Sequence, residues 1–432
     1  MMKRAIAGGI LLSALLLLFY GCSAAKPKSP APAYEEPQYA WGNITGRTLT
    51  VWGRETDLSR SYMTRAFARY EELTGNTIDA VAYTPDQLEA AAAEALQRGS
   101  NTPDLILSFG GTNIDALDPD QNLYDFSAAE WVDDLTEVSI NQTIYHGKVI
   151  GLPHWEASIA GTLYNKEIFE KLDLTPPRTQ AEFLTACETL LQNGVTPLYL
   201  PAASPTMLLY QLPLDTLVEQ TDTLEKLNNG ELSYADLPGM QQVADWYRTM
   251  AESGYLGASY LTNDWDGMSD ALESGEYAMM LCWDTWLYTD FQGDASRFGL
   301  MPAFVGIPEN GTFEGPNLSL MLVNRHSEQM DAALDLITFM ADPYNYNAAF
   351  EGIYTAPVFK RQVAGISTPQ YVEAERWVEE NYRDSTAWLR IEGFSQSDAT
   401  CILHYMQARE GYTAEQCLRD MDRLRTERIH KR

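Results

Sequence analysis

The run from Leu49 to Phe109, LTVWGRETDLSRSYMTRAFARYEELTGNTIDAVAYTPDQLEAAAAEALQRGSNTPDLILSF, decides the fold. Leu49–Trp52 predicts a strand, and Met63, Phe67, Tyr70 and Leu73 recur at near-helical spacing, predicting a helix over Ser61–Thr74. Gly75 stops that helix, because glycine enters the left-handed conformation at no steric cost. A strand at Thr77–Tyr83, a helix at Pro85–Arg98 with an Ala-Leu stripe ended by Gly99, and a strand at Asp104–Phe109 complete a βαβαβ unit. Such units form a parallel sheet with right-handed crossovers. Ligands of open sheets bind beyond the carboxyl ends of the strands, so Trp52-Gly53-Arg54-Glu55 and Ser108-Phe109-Gly110-Gly111-Thr112 become site candidates from topology alone.

A second α/β region begins near Gly151. Thr179-Gln180-Ala181-Glu182 reads as a capping box, in which hydroxyl and carboxylate each satisfy a backbone donor at a helix start, and Gly194 closes the helix. A strand is expected at Thr196–Leu200, helices at Met240–Ser253 and Asp266–Glu273, and a strand at Tyr277–Cys282 running into Trp283-Asp284-Thr285-Trp286. A strand at Leu318–Val323 precedes an amphipathic helix, Glu328–Met340, capped by Ser327. The last ninety or so residues read as helical, and there is no internal repeat.

Upstream of this body the chain opens with Lys3 and Arg4, then an apolar run from Ile10 to Tyr20 that ends at Gly21-Cys22. That is a signal-peptide layout, too short for a comfortable bilayer span of roughly 20 residues. Residues 1–21 are therefore expected to be a signal peptide, and residues 22–46, rich in Ala, Pro and Ser at first and lacking apolar periodicity, a flexible tether. The net charge of −30 argues against binding nucleic acid or an anionic membrane surface by charge. Cys187, Cys282, Cys401 and Cys417 have neither metal-ligand spacing nor the density of a disulfide scaffold; they read as buried thiols, with a Cys401–Cys417 bridge as the alternative. No metal or cofactor is expected.

Five ordered segments resemble the family 1 extracellular solute-binding proteins, which include maltose-binding protein. They are Leu49-Thr50-Val51-Trp52, Thr102-Pro103-Asp104-Leu105-Ile106, Gly147-Lys148-Val149-Ile150-Gly151-Leu152-Pro153, Leu163-Tyr164-Asn165-Lys166-Glu167-Ile168-Phe169 and Gly275-Glu276-Tyr277-Ala278-Met279-Met280. The resemblance implies a two-lobed periplasmic-binding-protein-like α/β fold, each lobe a mainly parallel sheet flanked by helices, with a ligand cleft between the lobes. It places residues 47–157 and 292–340 in the N-terminal lobe and 158–291 and 341–432 in the C-terminal lobe. It also implies carbohydrate capture, delivery to the permease of an ABC importer, a monomer, and a position on the outer face of the bacterial membrane. Gly21-Cys22 resembles a lipobox, which makes Cys22 the expected acylated anchor; ordinary secretory cleavage nearby is the alternative.

A sugar cleft needs aromatic faces for C–H stacking beside carboxylates and amides for hydroxyls. Trp52, Arg54 and Glu55 follow the first strand, although Trp52 could equally pack in the core. Trp155 and Glu156 lie where the resembling proteins bring a carboxylate to the sugar. Trp283, Asp284 and Trp286 close an apolar strand with two indoles around a carboxylate, one to stack and the other to fill the core. Asn113, Asn317, Tyr354 and Trp388 complete the candidates, each explicable also as turn chemistry.

Enzyme signatures are missing. There is no G-x-S-x-G, H-E-x-x-H, P-loop or G-x-G-x-x-G string, and the S-x-x-K string, Ser23 to Lys26, falls in the tether. A hidden pair of glycosidase carboxylates is the remote enzyme reading. Two nearer alternatives keep the fold: a polyamine or other small solute held by cation–π contacts, or presentation of the ligand to a sensor kinase.

Overall fold

The protein is described by a computed structural model over residues 44–84, 87–204, 217–218, 222–307, 311–384, 386–408 and 411–430. The signal segment, Cys22 and the tether before residue 44 lie outside the described residues. Walking the chain, β1 (Thr48–Arg54), α1 (Ser61–Thr74), β2 (Thr77–Tyr83), α2 (Leu88–Arg98) and β3 (Leu105–Phe109) realise the βαβαβ unit. Gly75, at φ +70°, donates its N–H to the Glu71 carbonyl and ends α1 in the left-handed conformation. Tyr62, Met63, Ala66, Phe67 and Tyr70 form the buried stripe of α1, as its spacing demands.

The chain continues through β4 (Gly151–Leu152), β5 (Ala160–Asn165), α3 (Gln180–Gln192), β6 (Thr196–Tyr199), α4 (Pro238–Glu252), β7 (Tyr277–Trp283), β8 (Phe298–Met301), β9 (Phe313–Glu314) and β10 (Ser319–Val323). It ends with α5 (Met330–Ala341), α6 (Pro369–Asn381), β11 (Tyr382–Arg383), α7 (Ala387–Arg390), α8 (Ala399–Gln407) and α9 (Ala414–His430). The α3 cap forms much as read: Thr179 Oγ1 accepts from Glu182 N at 3.2 Å, and the Glu182 carboxylate accepts from Arg178 N rather than Thr179 N. Ser327 is a correction. Its hydroxyl accepts from Gln329 N and donates to Asp104 Oδ1 at 2.5 Å, so it ties the loop to the start of β3 and the helix begins only at Met330.

Two sheets result. The first runs β2-β1-β3-β10-β4; β1 is parallel to β2 and β3, while β10 is antiparallel to β3 and β4. The second runs β11-β9-β5-β7-β6, with β8 also on β5, and β5 is antiparallel to β7, β8 and β9. Both sheets are thus mixed, with parallel pairing confined to β2-β1-β3, β6-β7 and β9-β11. In the first sheet the antiparallel strand is β10, which re-enters from the body of the second sheet; in the second sheet it is β5, the strand by which the chain first enters.

Because β8 and β9 pair with β5, the chain stays with the second sheet past residue 292 and returns to the first only over 315–318. Tyr346, Phe350, Val358 and Phe359 belong to the core of the first sheet. Cys187, Cys282, Cys401 and Cys417 are buried free thiols.

Candidate functional site

Three polar and aromatic clusters gather where strands end at their carboxyl termini. The first lies at β1 and β3. Trp52 is 9% exposed, sits 4.8 Å from the Tyr83 ring and packs among Leu88, Ala92 and Ile106, so its indole serves mainly the core. Arg54 pairs with Glu89 at 2.7 Å and Asp57 at 3.4 Å, and its guanidinium lies 4.8 Å from the centre of the Phe109 ring. Glu55 is exposed at the start of the next helical turn. Phe109 meets Trp388 edge-on at 6.4 Å, and Asn113 folds back to donate to the Gly110 carbonyl at 2.9 Å.

The second cluster surrounds the passage out of β4. Trp155 is buried edge-on to Tyr62, with centroids 5.9 Å apart. The Tyr62 hydroxyl donates to Glu156 Oε2, and Arg60 Nε lies 3.5 Å from Glu156 Oε1. Burial pushes the Glu156 carboxyl up, and Arg60 and the Tyr62 hydroxyl draw it back down. The same Arg60 reaches Asp290, just beyond β7, at 3.6 Å, linking an element of the first sheet to one of the second. Tyr354 stacks on Tyr288 at 3.7 Å, and Tyr288 donates to Gln370 at 2.9 Å.

The third cluster is the end of β7. Trp283 stacks on Trp265 with centroids 5.3 Å apart and planes 18° apart, and both rings are half-buried. Asp284 is 4% exposed; it accepts from Ile159 N at 2.8 Å and from the Thr368 hydroxyl at 2.5 Å, and burial raises its carboxyl. It therefore pins the passage between the sheets. Trp286 is buried against Phe291, 5.4 Å away. Asn317 lies on the return segment, which Gln142 grips by donating to the Pro316 carbonyl at 2.6 Å and accepting from Leu318 N at 2.8 Å. The Asn317 amide is 9% exposed, yet among the described residues neither its Oδ1 nor its Nδ2 has a hydrogen-bond partner. Buried polar atoms are rarely left so, and this amide keeps a donor and an acceptor for a further group.

The structure thus adds Arg60, Tyr288, Gln142 and Trp265 to the sequence-predicted residues. Trp265 had a legible signal, an isolated indole in the polar string Asn263-Asp264-Trp265-Asp266; Arg60 and Gln142 had none. Glu156 and Asp284 are each held by protein donors, and the rings around them offer faces for stacking. Among the described residues no group of three His, Cys, Asp or Glu side chains could hold a metal ion.

Residues 65–375 match the profile of a family described as bacterial extracellular solute-binding protein. An uncharacterized ABC transporter extracellular-binding protein of Pyrococcus horikoshii is 25% identical over 207 residues, a match that covers 45% of this chain and 45% of that protein. Among solved structures, a putative binding protein MsmE of Bacillus subtilis in an open conformation aligns with a TM-score of 0.71 at 16% identity, covering 89% of this chain and 98% of that one. The solute-binding protein RafE in complex with raffinose gives 0.71 at 14% identity, covering 88% and 99%. The GacH receptor of Streptomyces glaucescens, described with and without acarbose, gives 0.66 at 18%, covering 90% and 99%.

Proposed function

Because the chain belongs to the bacterial extracellular solute-binding proteins, whose profile spans residues 65–375, we propose that it captures an oligosaccharide and hands it to an ABC-type import permease. The ligand lies in a cleft between two lobes, one built on each sheet, with Arg54, Trp155, Glu156, Trp283, Asn317, Tyr354 and Trp388 around it and Trp265 as a further ring. Acylation at Cys22 holds the protein, a monomer, on the outer face of the membrane.

Two observations carry this reading, the half-buried Trp265–Trp283 stack and the Asn317 amide that has no partner among the described residues. An indole face suits the C–H face of a pyranose, and a carboxamide offers both a donor and an acceptor to neighbouring hydroxyls. Raffinose in RafE and acarbose in GacH lend the same ligand class. A ligand that touches both lobes binds the closed arrangement better than the open one and so shifts the population toward closure, which a permease can read as occupancy.

A thermal-shift screen with mono- and oligosaccharides, raffinose among them, and with a polyamine tests the ligand class, because a ligand that binds only the native state raises the melting temperature. Stabilisation by one or more glycans is expected. Stabilisation by the polyamine with no response to any glycan overturns the carbohydrate reading.

A further inference from the structure

Besides the Arg60–Asp290 pair, a second contact joins the bodies of the two sheets, and it depends on a glycine. Gly111 follows β3 at φ +63°, and a Cβ placed on it would lie 2.3 Å from the Leu389 carbonyl oxygen and 2.5 Å from Leu389 Cβ. The next residue, Thr112, donates its hydroxyl to the Trp388 carbonyl at 3.5 Å, and Trp388 is held between Phe109 at 6.4 Å and Phe394 at 6.2 Å.

Each side of this contact is rooted in its own body. Ala387 and Ile391 are buried in the main core of the second sheet, and Asn228 brackets the segment, donating to the Arg390 carbonyl at 2.9 Å and accepting from Glu392 N at 3.0 Å. On the other side Ile114 and Leu117 join the cluster under α2, against the first sheet. Tyr62, in the first turn of the α1 helix that Arg60 precedes, packs in the cluster on the opposite face of that sheet. The two contacts therefore brace the strand ends from opposite faces, one electrostatic and one steric.

We propose that Ala387–Arg390 is a clasp that seats on Gly111 and holds the two bodies together, so that Gly111 and Leu389 position the cleft walls without touching the ligand. The proposal rests on the two-lobe reading but not on the identity of the ligand. A clasp made without ligand lowers the free-energy cost of closure, and its loss makes the open state more populated.

The test is small-angle scattering on the ligand-free full chain. Gly111→Ala and Gly111→Asn both introduce the clashing Cβ, and asparagine tolerates the left-handed backbone better than alanine does. Gly99→Ala is the control, since Gly99 has the same backbone conformation, φ +64°, with nothing within 4 Å. Both Gly111 variants should shift the radius of gyration upward at unchanged circular dichroism, and Gly99→Ala should not. If the Gly111 variants fold and keep the wild-type radius, the clasp is overturned. Should they fail to fold, Leu389→Ala trims the side chain seated on Gly111 from the other side: an enlarged radius supports the clasp and an unchanged one overturns it. An expanded Gly111 variant of a protein that binds no glycan would leave the clasp standing and remove the carbohydrate reading instead.

Discussion

The indole of Trp265, in a loop before β7, stacks on that of Trp283, the last residue of β7, at 5.3 Å and 18°. A pair of parallel half-buried rings at the end of a buried strand offers a flat apolar platform, and that geometry shapes the first expectation. Trp265→Ala and Trp283→Ala should each weaken glycan binding roughly tenfold, about 1.4 kcal/mol, without unfolding the protein. Calorimetric titration checks this; unchanged affinity in both variants would place the platform outside the site.

Asp284 is a different kind of residue from its neighbours. Its carboxylate satisfies Ile159 N and the Thr368 hydroxyl from full burial, so Asp284→Ala strands two donors. A loss of about 3 kcal/mol of folding stability is expected, since an unsatisfied buried group costs about 1–3 kcal/mol. Chemical denaturation of Asp284→Ala measures it, and a change under about 0.5 kcal/mol, the range of ordinary surface substitutions, would contradict the structural role.

His154 sets an acid limit. Burial beside the Tyr62 and Phe350 rings pushes its imidazole from the ordinary 6.5 down to about 4. The unfolded chain then binds the proton more readily than the folded one, so the stability this residue contributes is full above 6.5 and is lost as pH falls from 6.5 toward 4. The loss amounts to about 3 kcal/mol at 1.36 kcal/mol per pKa unit. Melting curves of wild type and His154→Gln across this range should converge on acidification; a constant gap between them would refute the assignment.

Cys22→Ala should release the protein from membranes into the medium. Fractionation of cells expressing each form checks it, and continued membrane retention of the variant would rule out acylation at that residue.

Local rules made the βαβαβ unit legible, because glycine stops and apolar spacing act within a few residues of each other. Ser61–Thr74 and Thr77–Tyr83 are observed with the predicted limits for that reason. Long-range pairing was not legible. Nothing near Phe298 or Phe313 announces that both strands lie on β5, more than a hundred residues earlier. The candidate site divides in the same way. Trp283 at the end of an apolar strand is a local signal, whereas the partners that consume Glu156 and Asp284, namely Tyr62, Arg60 and Thr368, come from 84 to 96 positions away and emerge only when the chain is folded.

The central claim is that an oligosaccharide lies against the Trp265–Trp283 platform between the two sheets. Intrinsic tryptophan fluorescence, titrated with each glycan that stabilises the protein, tests it most directly in wild type and in Trp265→Ala. A saturable spectral change in the wild type, diminished and shifted to higher concentration in the variant, is the expected result. A glycan that binds both proteins with the same affinity and the same spectral change would contradict it.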